Sequence, residues 1–144
     1  MTEIPDAETM KAFNNSIVDE FRANGGKVTG PFANAPLMLL TTTGAKSGKQ
    51  RTIPIVFTRD ADRYIIIASK GGAPTNPDWF HNLVAHPEAT IEVGTDSVEA
   101  DATITAGEER DRLFRAQADV MPNFDEYQQK TTRVIPVVAL TPRN

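Results

Sequence analysis

The sequence has no cysteine among its 144 residues. Disulfides, thiolate metal ligands and cysteine nucleophiles are therefore excluded. Histidine is scarce. His81 and His86 stand five positions apart, with no acid at metal-ligand spacing beside them, so no metal site is expected. No serine–histidine–acid arrangement can be read from the order of residues. No apolar run approaches the roughly 20 residues that span a bilayer. Thr2, Glu3 and Asp6 stand where a signal peptide would carry a basic region and an apolar stretch, so a cytoplasmic protein is expected. Excess positive charge is missing too. Lysine and arginine total 15 against 19 aspartates and glutamates, a net charge of −4, which argues against nucleic-acid binding.

A chain of this length suits one domain and buries roughly 70% of its unfolded surface, enough for a core. The expected plan is an N-terminal helix and connecting loop over residues 1–35, then a barrel over 36–144. Residues 6–24 read as a helix begun by Pro5 and Asp6, with Met10, Phe13, Ile17, Val18 and Phe21 at helical spacing. It either docks on the core or touches a membrane surface or a partner.

Strands are expected over 36–43, 52–58, 63–69, 89–93, 98–105 and 134–140, with Pro136 marking an edge or bulge position in the last. Pro77 at a first helical turn opens a short helix ended by His86-Pro87, residues 107–120 form a charged helix, and 121–130 a short helix or loop. About six strands follow one another through short turns, without regular helix alternation. This pattern predicts an α+β, mainly β fold: an antiparallel barrel with peripheral helices.

Three segments can carry chemistry. In Gly44-Ala45-Lys46-Ser47-Gly48-Lys49-Gln50-Arg51, two glycines let amide N–H groups converge, and three cations occur without an acid. Such a basic island on an acidic chain suits a small anionic ligand, while a solvated hairpin tip would use the same residues. It is not a P-loop: the spacing differs, and a strand follows rather than a helix. In Ser69-Lys70-Gly71-Gly72, a strand end brings backbone amides within reach of a flat ligand; a flexible turn is the plain alternative. In Asn76-Pro77-Asp78-Trp79-Phe80-His81-Asn82, a helix start holds the only tryptophan. Its amides favour an anion, although Trp79 is equally suited to the core. Asp125-Glu126 read as a solvated acidic face.

Taken in order, Leu39 to Arg51, Pro54, Ala68 to Gly72, Asn76-Pro77-x-Trp79-x-x-Asn82-Leu83 and Tyr127-Gln128-x-Lys130-Thr131-x-Arg133-x-Ile135-Pro136-Val137 resemble the deazaflavin-dependent nitroreductase family, the class A F420H2-dependent reductases of actinobacteria. The resemblance runs from about residue 36 onward. It implies a split β-barrel of the FMN-binding kind and the reduced coenzyme F420, with no metal. By position, Lys46, Ser47, Lys49 and Arg51 would hold the cofactor's phosphate and polyglutamate tail. Thr52, Pro54, Ile55 and Val56 would run beside the ring, Ala68, Ser69 and Lys70 would meet it, and Asp78, Trp79 and Asn82 would close its other side. Met121, Phe124 and Tyr127 would form the substrate wall, with Ser69 or Tyr127 placing the proton that completes the reduction.

The resemblance further implies hydride transfer to an electron-poor acceptor: a quinone, or a conjugated lactone or ester of coumarin or aflatoxin type. Ala45 stands where the family usually has a second basic residue. Of the tyrosines that face substrate in nitroimidazole-reducing members, only Tyr127 is kept, so poor nitroimidazole turnover is expected. Two other readings stay open, an FMN-dependent oxidoreductase on the same barrel and a non-catalytic deazaflavin carrier. The oligomeric state is left open, as is peripheral attachment of residues 6–24 to the inner face of the cell membrane.

Overall fold

A computed structural model describes residues 7–33 and 35–143. Seven antiparallel strands form one sheet: β1 Leu37–Thr43, β2 Gln50–Val56, β3 Thr58–Asp60, β4 Arg63–Ile67, β5 Glu88–Val93, β6 Asp96–Ile104 and β7 Val137–Pro142. Their spatial order is β2-β1-β5-β6-β7-β4-β3. Four helices pack around it: α1 Ala7–Ala23, α2 Asp78–Ala85, α3 Gly107–Val120 and α4 Asn123–Gln129.

The outermost strands of the sheet, β2 and β3, are separated in sequence by Phe57 alone. The chain thus steps from one edge to the other in a single residue, and the sheet must curl until its edges meet. That is the split barrel the sequence predicts. Phe57 is buried, packs edge-on against Tyr64 at 5.3 Å, and donates its N–H to Pro36 at 3.1 Å.

Period-two alternation sorts the strand residues into two environments. Met38, Leu40, Ile66, Ala68, Val138 and Leu140 point into the barrel with Phe57, Trp79, Leu83 and Ile91. The intervening Ile65, Ile67, Val137 and Ala139 face outward under Leu113, Phe114 and Ala118 of α3 and Phe124 of α4. On the opposite wall Leu37 and Leu39 face Ile17, Val18 and Phe21 of α1. Strands covered on both faces read as near-continuous apolar runs, as β1 and β4 do. Ile17, Val18 and Phe21 of α1 are therefore covered by the sheet. Phe13, 39% exposed, lies beside Phe32 at 6.3 Å.

Several expectations need correcting. The strand read as Thr52–Thr58 is two strands broken at Phe57. The one read as Val134–Leu140 starts three residues later, at Val137. Pro136 lacks an N–H and stands just outside it, its carbonyl accepting from Ala68 N–H at 2.9 Å. Moreover, β7 lies between β6 and β4 and is no edge. Pro54 is the strand proline at an edge, in β2 opposite Leu39. Pro77 precedes α2 as its N-cap rather than lying in its first turn. Pro5 and Asp6, read as the start of the first helix, lie outside the described residues, as does the side chain of Met10.

Candidate functional site

The basic loop joins β1 to β2. Gly44 N–H donates to Lys49 O at 2.8 Å and Gly48 N–H to Gly44 O at 3.0 Å, closing the loop on itself. Ser47 Oγ accepts from Lys49 N–H at 3.2 Å. A side chain at position 44 would put its Cβ 2.5 Å from Ser47 Oγ and 3.2 Å from Lys49 O, so Ser47 would have to turn away from Lys49 N–H. The loop is also held from across the barrel mouth. The buried Asn82 of α2 donates Nδ2 to Thr42 Oγ1 at 3.0 Å and accepts from Ala45 N–H at 2.9 Å.

Between loop and helix lies a cleft of about 590 Å³ lined by Gly44, Ala45, Lys46, Ser47, Arg51, Asp78, His81 and Asn82. Two of its cations, Lys46 and Arg51, are exposed, and Lys49 stands exposed on the same loop. Among the described residues none of the three forms an ion pair. The arginines elsewhere that hold carboxylates, such as Arg115 with Asp125 and Arg143 with Asp101, show what these cations lack. Asp125, on the acidic face read as solvated, pairs with Arg115 while its side chain stays 40% exposed. Unpaired cations on a rigid loop suit an external anion, with Arg51 offering a planar fork to phosphate oxygens. Asp78 is the one acid of the lining.

A second loop follows β4. Lys70, Gly71 and Gly72 have φ of +48°, +64° and +86°, and Gly72 N–H closes a turn on Ser69 O at 2.9 Å. Arg133 clamps this loop. Its guanidinium donates to the carbonyls of Ala68 (3.2 Å), Ser69 (2.9 Å) and Ala73 (3.0 Å) and to Asn76 Oδ1 (2.8 Å). Gln128 of α4 donates to Arg133 O at 2.7 Å. α4 rests directly on the loop: a Cβ on Gly72 would lie 2.8 Å from both Tyr127 O and Lys130 Cβ. On α4, Tyr127 packs edge-on against Phe124 at 5.5 Å, and its hydroxyl accepts from Asn123 Nδ2 at 3.0 Å.

Residues 14–142 match the sequence model of the F420H(2)-dependent quinone reductases. The chain belongs to that family. It is thereby an oxidoreductase dependent on F420H2. An F420H(2)-dependent quinone reductase of Mycobacterium tuberculosis (strain ATCC 25618 / H37Rv) is 39% identical over 127 residues, 85% of each chain. The solved F420-H2 dependent reductase FDR-A is 39% identical, with a TM-score of 0.68 over 73% of this chain and 93% of its own. A second structure, described as a domain-swapped dimer, is 32% identical, with a TM-score of 0.70 over 94% of this chain and 99% of its own.

The donor set fits the family's cofactor. A phosphorylated, carboxylate-bearing tail needs cations free of internal partners, and the three loop cations form no ion pair among the described residues. Of the residues the sequence nominates, the cleft brings together Lys46, Ser47, Arg51, Asp78 and Asn82 and adds His81, which sequence reading weighed only as a metal ligand. Lys49 belongs to the loop but not to the lining. Thr52, Pro54, Ile55 and Val56 follow along β2, half-buried. Ala68 is wholly buried, and Trp79 is 8% exposed among the barrel's interior residues. Phe80 packs against that same interior cluster. Of the substrate wall, Phe124 is buried in the outer core, against which Met121 and Tyr127 pack half-exposed. The motif that carries the resemblance contains Arg133 and Gln128, and the resemblance implies no role for either. Gln128 lies on α4 and Arg133 just ahead of β7, and both read as exposed polar residues until the carbonyls they serve are seen.

Proposed function

We propose that this protein transfers hydride from F420H2, gripped by its tail at Gly44–Arg51, to a flat conjugated acceptor of quinone type. The observation that carries the reading is that the loop cations form no ion pair among the described residues, with Lys46 and Arg51 lining a cleft whose loop Asn82 of α2 anchors through Ala45. When bound, the reduced deazaflavin supplies the hydride; the protein binds, orients and excludes water. Lys46, Ser47 and Arg51 would hold phosphate and carboxylate oxygens, with Lys49 as a further cation. The strand residues Thr52 and Pro54 to Val56 would flank the ring, and Ser69 and Lys70 would meet its edge.

Tyr127 suits the role of proton donor. Its oxygen is fixed by accepting from Asn123, which leaves its own O–H free to donate. Ser69 Oγ, with no hydrogen-bond partner among the described residues, is the alternative. The half-exposed Met121 and Tyr127 favour an apolar, flat acceptor over a nitroimidazole. Conjugated lactones of coumarin type fit the same wall.

Equilibrium binding of F420 and of FMN to the pure protein, followed by fluorescence quenching, tests the reading. F420 should bind and FMN should not. Lys46→Ala with Arg51→Ala should weaken F420 by at least roughly tenfold while leaving a tail-less deazaflavin unchanged. Binding of FMN alone would overturn the proposal. A carrier would bind F420H2 yet oxidise it with no quinone, coumarin or nitroimidazole.

A further inference from the structure

Arg133 makes four donor contacts, all to neutral oxygens: three backbone carbonyls and one side-chain amide. No carboxylate pairs with it among the described residues, and its guanidinium is desolvated enough to lower its pKa from the usual arginine value. Arg133 is half-buried, and withdrawing a cation even partly from water without a counter-charge carries a cost. An asparagine accepts from it where an aspartate of the same size would offset the charge, so the charge has been left unpaired.

The peptide units it touches carry the consequence. In a trans peptide, C=O and N–H point in opposite directions. Arg133 takes the carbonyls of Ala68 and Ser69, so the N–H groups of Ser69 and Lys70 point away from it. These two N–H groups, and that of Gly71, donate to no protein acceptor among the described residues. Ser69 is right-handed (φ −75°, ψ −39°) and Lys70 left-handed (φ +48°). This sequence of conformations turns successive N–H groups toward one point, a concavity suited to an anionic or carbonyl oxygen. A cation bonded to the carbonyl end of a peptide polarises it and strengthens donation from its N–H. Asn76 continues the connection, since it leads into Pro77 and the cleft-lining Asp78.

We propose that Arg133 is a positioning residue whose unpaired charge acts through the Ala68–Ser69 and Ser69–Lys70 peptides, priming their N–H groups to hold the electron-rich carbonyl edge of the bound ring. The inference rests on the proposed deazaflavin function for the identity of the ring. It does not rest on that function for the state of the loop.

Asn76→Asp is the decisive variant. It keeps an acceptor at Arg133 and adds the missing counter-charge. A tail-less deazaflavin should then bind roughly tenfold more weakly, because a charge-assisted contact has been discounted. Inorganic phosphate at the basic loop should bind as before. In the ligand-free protein, amide-proton resonances of Ser69 and Lys70 should move upfield, with no loss of thermal stability. Arg133→Lys keeps the charge but loses the fork; it should broaden the resonances of residues 69–73 and also weaken the ring. Wild-type ring affinity and unmoved Ser69 and Lys70 resonances in Asn76→Asp would overturn the proposal. Should the wild-type protein bind no deazaflavin, the functional reading fails, and the ligand-free resonances still decide the role of Arg133.

Discussion

Asn82 Oδ1 accepts from Ala45 N–H at 2.9 Å, so a buried side chain of α2 fixes the base of the basic loop across the cleft. The same amide donates to Thr42 at 3.0 Å, which ties the helix to β1 as well. Removing it in Asn82→Ala leaves two polar groups without partners, at a cost of about 1–3 kcal/mol. Thermal melting should fall accordingly, and F420 affinity should drop although no charge has been removed. Titration of the cofactor into variant and wild type at matched ionic strength checks this.

Gly72 is the point where the Ser69 loop meets α4. Its φ is +86°, and a methyl group there would sit 2.8 Å from Tyr127 O. Gly72→Ala should lose about 2–3 kcal/mol from strain and overpacking together. The displaced element is α4, so acceptor KM should rise more than cofactor Kd. Steady-state kinetics with varied quinone, set beside direct cofactor binding, separate the two.

The opposite change is expected at Ala61. This residue holds φ +55° in the turn between β3 and β4. Left-handed backbone costs a non-glycine residue about 1–2 kcal/mol, partly offset by the extra freedom glycine has when unfolded. Ala61→Gly should therefore gain about 0.5–1 kcal/mol. Urea unfolding should show a higher midpoint with an unchanged slope.

Acid should act through Asp60. Hydrogen bonds from Arg112 and then Arg63 hold its carboxyl near a pKa of about 2, below its ordinary 3.8. A depressed carboxyl contributes stability above its unfolded value, and that contribution is lost as pH falls through the folded one. The loss should occur between about pH 4 and pH 2. Asp60→Asn should flatten the pH dependence of stability in that window and leave neutral-pH activity intact. Melting temperature against pH for both proteins tests the sign.

The parts of the fold that were legible in the sequence share one property: their apolar residues alternate or recur at a single period. Leu37 to Leu40 and Ile65 to Ile67 are buried on both faces, and their continuous apolar runs announce it. β3 was missed because Thr58-Arg59-Asp60 has no apolar alternation and is a strand only by pairing with Arg63 to Ile65. β7 was placed too early because Val134 and Ile135 extend the apolar run, while Pro136 stops the ladder. At the site, the concentration of glycine and lysine in one loop is legible in the sequence. Asn82 as a strut between elements, His81 on the cleft wall and Arg133 under the Ser69 loop were not legible. Each is a polar residue whose partner lies on another element, and no local period encodes that. Gln117 is the extreme case. Wholly buried on α3, it accepts from Thr58 Oγ1 at 3.1 Å while its Nε2 finds no partner among the described residues.

The single residue between β2 and β3 has a kinetic consequence. The strands farthest apart across the sheet are nearest along the chain, so bringing the two edges together closes almost no loop and costs little chain entropy. The slow part of assembly falls instead on the interior of the sheet, where β1 must find β5 and β4 must find β7 across long stretches of sequence. Phe57 thus makes the seam a covalent one: the two edges are joined along the chain from the start, whichever staves pair first.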